Sequence, residues 1–267
     1  IRDRSVSRGL GDVYKRQQKD FSWNASLLYA FNRNKVKHIS VQPSLWDSRI
    51  SMPTSYPMVG KPLYGIYAYK WAGLNENGDP QVYDAENNVT SGPARDYHAL
   101  VYCGTTVPIH NASLTNVLRY KGFEFSAMLI LDAGHKLRSS NIPSINMSNG
   151  RITSTAKGIV DRWTQPGDVT DVPRLLFSND TENFNTHRTE LYRYSDLFVY
   201  DASNIRLSNI SLAYRVPAHW CKKISLSGAR LQFNVENVAT FAFDSKANYD
   251  LGGKVKPNYV WGLYLNF

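Results

Sequence analysis

Apolar and polar side chains alternate at a period of two in segment after segment of this chain, and that alternation limits its fold more than any other feature. In the segment FSWNASLLYAF, the odd positions Phe21, Trp23, Ala25, Leu27, Tyr29 and Phe31 are all apolar. Ser22, Asn24, Ser26 and, just beyond, Asn32 hold the other phase, with Leu28 and Ala30 as softer exceptions. Successive side chains of a strand point to opposite faces, so the segment has one greasy face and one mostly polar face. A helix would mix Phe21, Trp23 and Asn24 on one side. A strand is expected here.

The pattern returns downstream. Beyond a tight turn at Tyr120-Lys121-Gly122, Phe123, Phe125, Ala127, Leu129 and Leu131 alternate with Glu124, Ser126, Met128, Ile130 and Asp132. The preceding NASLTNVLRY is the expected antiparallel partner in a hairpin. Ile210, Leu212, Tyr214 and Val216 form another row, closed by Pro217. Further on, Ala229, Leu231, Phe233 and Val235 alternate with Arg230, Gln232, Asn234 and Glu236. Four successive polar positions on one face suit a water-filled lumen better than the outer side of a sandwich, so these four are expected to face a lumen. The last residues, VWGLYLNF, place Trp261, Leu263, Leu265 and Phe267 on one face. Such a strand, ending on an aromatic residue, is expected to close a barrel and to resemble the signal read by the barrel-assembly machinery.

Composition agrees with this class. Aromatics reach 13%, with 17 Tyr, 11 Phe and 6 Trp, as suits a barrel with aromatic girdles or a secreted β-protein. Mean hydropathy is −0.40 and no apolar run is long enough for a transmembrane helix. Barrel strands carry only about ten alternating residues each, which such a test misses. The net charge of +9 raises the question of nucleic acid. Residues 1–17 contribute five basic and two acidic side chains, and they lack a strand pattern. They resemble translated sequencing adaptor and are set aside as a non-native scar. The remaining surplus of six is spread along the chain, so no nucleic-acid partner is expected. Cys103 and Cys221 are expected to be unpaired rather than bridged.

Between the strands, residues 34–62, 73–110 and 134–196 are rich in Asn, Ser, Thr, Pro and Gly. Loops this long suggest function, and a barrel with short turns on one side and long extracellular loops on the other accounts for them. No catalytic, metal or cofactor signature emerges. The six histidines have no ligand spacing, and the common hydrolase and nucleotide motifs are absent. Asn75-Glu76-Asn77-Gly78-Asp79 faintly resembles half a calcium loop, with Glu86 at the twelfth position, but the same residues are ordinary turn formers. Asp168 with Asp171, and Asp180 with Glu182, are read as solvated loop charge rather than a hydrolytic pair. Trp46, Tyr56, Tyr83, Tyr97, Trp163, Phe177 and Phe184 suit sugar stacking or loop-to-loop anchoring equally.

Several blocks together resemble one family. GKPLYGIYAYKWAGLNENGDPQVY, RYKGFEFSAMLILDAGHK, DRWTQPGDVTDVPRL, DASNIRLSNISLAYRVP, LQFNVENVATF and the closing VWGLYLNF follow the order found in SusC/RagA-type TonB-dependent outer-membrane transporters. In the fourth block the resemblance rests on Asp201, Ala202, Ser203, Arg206, Leu207, Asn209, Ile210, Leu212 and Tyr214, and in the fifth on Asn237, Thr240 and Phe241. It covers about residues 60–267. Residues 92–110, with Cys103, depart from the pattern.

The resemblance implies an all-β fold, an antiparallel transmembrane β-barrel of which residues 18–267 supply an incomplete C-terminal portion of about eight strands. It implies a Gram-negative outer membrane, a SusD-like surface lipoprotein as lid, TonB acting through a missing N-terminal part, and an oligosaccharide or peptide substrate. It implies no enzyme. A siderophore or vitamin importer of the same class is the near alternative. A secreted β-sandwich that binds or cleaves carbohydrate is the distant one.

Overall fold

The structure is a computed structural model that describes residues 6–18, 20–40, 48–92, 96–148, 151–152, 156–177, 186–252 and 256–267. Seven strands make one antiparallel sheet: β1 (Val6–Gln18), β2 (Phe21–Arg33), β3 (His110–Tyr120), β4 (Phe123–Ala133), β5 (Asn204–Arg215), β6 (Gly228–Ala242) and β7 (Asn258–Asn266). They lie side by side in chain order, and β1 and β7 are the two ends of the sheet. The alternating segments are thus strands of one meander, and among the described residues of 18–267 it has six, β2 to β7, where about eight were expected. The difference arises in GKPLYGIYAYKWAGL, whose short strands belong to small separate sheets.

Register aligns the two phases across the sheet. Opposite residues of an antiparallel pair share a face, so one apolar row can be followed from strand to strand. Leu27 pairs with Leu114, Leu114 with Leu129 and Leu129 with Leu207. Lower in the sheet, Phe125 pairs with Leu212, Leu212 with Phe233 and Phe233 with Trp261. On β1 the register sets Arg16 opposite Trp23, Asp12 opposite Leu27 and Arg8 opposite Phe31. Backbone pairing makes no demand on side-chain pattern, so these residues pair with β2 without the sequence alternation of the other strands.

Two local devices shape the sheet. The β3–β4 turn consists of Lys121 and Gly122 at φ 44° and 90°, the doubly left-handed form that matches strand twist and that glycine accepts without strain. In β5 the register shifts between Leu207 and Asn209 against both neighbours, which marks a bulge. Asn237 of β6, at φ 53°, lies beside it.

The sheet belongs to one compact unit, formed by residues 5–33, 108–135 and 201–267. Residues 34–107 and 136–200 form the second. The long polar stretches are therefore largely a folded body with its own core. Gly65–Tyr69 pairs with Leu100–Thr105, and Trp71–Leu74, Pro80–Tyr83 and Val89–Thr90 form a second small sheet. Ile50, Tyr67, Tyr69, Val82, Ala99, Leu100 and Leu191 pack together as its core. Helix α1 (Thr186–Arg193) supplies Leu191, and Tyr192 of the same helix joins Ile145 and Phe198 in a second cluster.

Candidate functional site

The face opposite the apolar row carries a lattice of polar side chains. Glu124 of β4 accepts from Arg119 Nε of β3 at 2.6 Å and from Arg230 Nη2 of β6 at 3.1 Å. Gln232 Nε2 donates to Ser211 Oγ at 3.3 Å and to Asn234 Oδ1 at 3.0 Å. Asn258 Nδ2 of β7 donates to Glu236 at 3.3 Å. Toward the other end, Asp132 receives Asn111 Nδ2 at 2.7 Å and Arg206 Nη2 at 3.0 Å. Arg230, Gln232, Asn234 and Glu236 thus stand together on this face. Leu231, Phe233 and Val235 take the other phase of β6. Such a surface offers charge and both hydrogen-bond donors and acceptors along one face of the sheet.

The apolar face is open. Leu231, Trp261, Leu263 and Leu265 are exposed, Trp261 to 79%. On β7, Trp261 lies opposite Phe233, Leu263 opposite Leu231 and Leu265 opposite Ala229. The rings of Phe233 and Trp261 are 4.2 Å apart, and those of Phe123 and Tyr214 4.4 Å. Phe267 follows the strand, 91% exposed, and its carbonyl accepts from Ser227 Oγ. Two polar pairs sit within this row: Tyr29 Oη meets His110 Nδ1 at 2.7 Å, and Trp23 Nε1 donates to Asn116 Oδ1 at 3.2 Å.

In the second unit the sequence blocks converge. Asp79 accepts from Arg174 Nη2 at 2.9 Å and from Arg188 Nε at 3.0 Å. Arg188, whose side chain is 2% exposed, also donates to the carbonyls of Arg174 and Ile145 and to Asn146 Oδ1. Burial holds its guanidinium below the ordinary value, and the Asp79 carboxylate offsets part of that. Gly78, at φ 73°, lies so close under the Trp163 indole that a Cβ would collide with the ring. Gly78 also accepts from the Arg174 amide at 3.0 Å. Trp71 donates through Nε1 to Asp171 and through its amide to Asp196, both at 3.0 Å. The GDP, RW and PR elements of the blocks are therefore pieces of one packed joint. Arg188 escaped the sequence reading, although its placement three and four residues before Leu191 and Tyr192 puts it on the buried face of α1.

In the first unit, the DAS block ties strand ends together. Gly134 donates to Ser203 Oγ, the Ser203 amide to Asp201 Oδ1, and the Phe243 amide to the Ser203 carbonyl.

The weaker chemical candidates have structural duties. Asn75 Oδ1 caps its own turn by accepting from the amides of Asn77 and Asp79, so the calcium-like loop is a turn whose Asp79 is held by arginines. Asp168 accepts from Thr164 and Gln165, hydrogen bonds that hold its carboxyl below the ordinary value, and Asp171 binds Trp71. Asp180, Glu182, Trp46 and Phe184 lie outside the described residues, as do the side chains of Tyr97 and Phe177. Trp163 anchors loop to loop, and Lys70 Nζ lies 4.7 Å from the Tyr83 ring centre. Both cysteines are free. Burial, with Asp196 nearby, pushes the Cys103 thiol up to about 11, against the pull of Arg138 and Lys136. Among the described residues, no three His, Cys, Asp or Glu side chains gather as a metal site.

No family model matches the chain. Two curated relatives from Formosa agariphila do, TonB-dependent receptor P3 at 24% identity over 92% of the chain and TonB-dependent receptor P26 at 25% identity over 79%. The chain spans 25% and 21% of their lengths, about a quarter or less. Among solved structures, the RagAB peptide transporter matches 99% of the chain and 29% of its own, with TM-score 0.70 and 19% identity. The RagAB peptide importer in its open-open and closed-closed states matches with TM-score 0.66 each. Sequence and fold point the same way: the chain is similar to TonB-dependent receptors in sequence and to the RagAB transporter in fold. The sequence blocks had pointed to the SusC/RagA type, and the likeness in fold to RagAB agrees with them.

Proposed function

We propose that this chain forms part of the wall and the external loops of an energised outer-membrane importer of oligosaccharides or peptides. The carrying observation is the register. It keeps an uncovered apolar row on one face of β2–β7 and a hydrogen-bonded polar lattice on the other. A lipid-facing surface needs the first, because a charge at the membrane midplane costs about 2–4 kcal/mol, and a watery passage needs the second. In this reading Arg230, Gln232, Asn234 and Glu236 line the lumen, and Trp261, Leu263, Leu265 and Phe267 form the closing strand and its assembly signal. The exposure of Leu231, Trp261 and Leu263 speaks against a sandwich, which would bury them.

The partners in this proposal are a SusD-like lipoprotein lid outside and TonB inside, acting through parts of the receptor beyond this chain. The similar RagAB structure is that of a peptide transporter, which supports peptides as one substrate class.

The test uses the full-length receptor in cells, with Cys103 and Cys221 replaced by Ser. Single cysteines at positions 230 to 235 are treated with a charged maleimide. Labelling at 230, 232 and 234 with protection at 231, 233 and 235 is expected. Labelling of all six alike would overturn the wall assignment. Uptake of labelled peptides and oligosaccharides, with and without TonB, then assigns the cargo.

A further inference from the structure

The connection between β5 and β6 is built for more than reversing the chain. The β3–β4 connection at the same end of the sheet needs only Lys121 and Gly122, whereas residues 216–227 fold into a short helix, Ala218–Lys222, with a compact return. Pro217 opens the helix, and its carbonyl accepts the Trp220 amide at 2.9 Å. The Leu226 amide closes back onto the Cys221 carbonyl at 3.0 Å. Cys221 and Leu226 are the buried side of this small body.

Its outer side has an unusual composition. Trp220 is 57% and Ile224 67% exposed, four residues apart, and between them stand the exposed Lys222 and Lys223. The His219 ring meets the Trp220 indole edge-on at 5.7 Å, leaving the indole largely uncovered. Tyr120, Phe123, Leu231, Leu265 and Phe267 are also exposed at this same end of the sheet. Tryptophan, with an apolar body and one polar N–H, is a residue of membrane–water boundaries, and lysine stems reach from that depth to lipid phosphates.

We propose that residues 218–224 are a lipid-interface anchor. Trp220 and Ile224 enter the acyl boundary of the periplasmic leaflet, while Lys222 and Lys223 bind the phosphates of its phospholipid headgroups. The proposal rests on the barrel reading, in which the short turns lie on the periplasmic side. The occupant is lipid rather than a soluble protein because the exposed apolar pair lies at the end of the sheet where the apolar row is exposed and is flanked by cations complementary to anionic headgroups. The anchor would fix the depth of the β5–β6 hairpin in the bilayer.

The test reconstitutes the full-length receptor into vesicles of phosphatidylethanolamine and phosphatidylglycerol that carry nitroxide lipids. Emission of the parent is compared with that of Trp220→Phe and, separately, Trp261→Phe, once each variant shows the folded barrel on unheated gels. The component lost in Trp220→Phe is expected to be quenched at least twofold by a shallow nitroxide and little by aqueous iodide. The component lost in Trp261→Phe should be quenched by nitroxide lipid whether or not the anchor exists. If neither component responds to lipid, the barrel reading itself fails. If Trp261 responds while Trp220 answers only to iodide, the barrel stands, the anchor is overturned, and the helix is left for a soluble partner. Lys222→Gln combined with Lys223→Gln should abolish the rise in shallow quenching that the parent shows as phosphatidylglycerol increases. An unchanged rise would overturn the headgroup contact.

Discussion

Adjacent residues of β6 should respond very differently to the same charge. Phe233 lies well inside the β6–β7 pairing, which runs from Gly228 to Glu236, and its ring meets Trp261 at 4.2 Å and Tyr259 at 6.3 Å. Phe233→Arg places a cation in the apolar row, at about 2–4 kcal/mol near the midplane. It also removes two aromatic contacts, each worth about 0.5–1.5 kcal/mol. Gln232→Arg loses the hydrogen bonds to Ser211 and Asn234, each about 0.5–1.5 kcal/mol, and leaves the new charge in a polar lattice. The expected gap is about 2–4 kcal/mol, or roughly thirtyfold to a thousandfold in the folded ratio. It can be measured by refolding the full-length receptor from urea into lipid vesicles and reading the folded fraction by gel mobility without heating. Equal losses, or a larger loss for Gln232→Arg, would refute the assignment of faces.

Three further outcomes concern the second unit. Asp79→Ala leaves Arg188 buried without its carboxylate, so the loop body should lose stability toward the lower end of about 3–5 kcal/mol, since Asp79 is partly exposed. Faster amide exchange at Leu191 and Tyr192, with the sheet unaffected, is the expected reading. Gly78→Ala combines a left-handed backbone with a collision against Trp163 and should destabilise by about 1–3 kcal/mol, visible as new protease cleavage in residues 156–177. Cys103, with its thiol near 11, should alkylate slowly at pH 8 and speed up only as the pH nears that value. Because this folded-state pKa lies above that of the unfolded thiol, its stabilising contribution is full below about pH 9 and is lost as pH rises through about 11. Thermal melts of the parent and Cys103→Ser should converge over that window.

The strands were legible because β2 to β7 keep a mostly apolar and a mostly polar face, and a period of two writes that division into the sequence. Lys121-Gly122 was legible as a turn for an equally local reason. The second unit was not, because Gly65–Tyr69 is buried throughout and carries no period to read. Its central joint links Asp79 to Arg174 and Arg188 across 95 and 109 residues, a separation no window of sequence spans. The bulge at Ser208 was equally hidden, since one inserted residue leaves an apolar row intact on either side. The polar face of β6 was visible as a pattern, while the partners that join it, Glu124, Ser211 and Asn258, emerge only from the register.

Both long excursions leave and re-enter the sheet between hydrogen-bonded neighbours. Phe31 pairs with His110 across the first, and Asp132 with Asn204 across the second. Neighbouring strands are only about 4.8 Å apart, and the entropy of closing a loop grows only with the logarithm of its length. The sheet is therefore nearly blind to what is inserted at these two doorways. A body inserted between such neighbours can therefore change in length and content while the strand pairing on either side of it stays as it is.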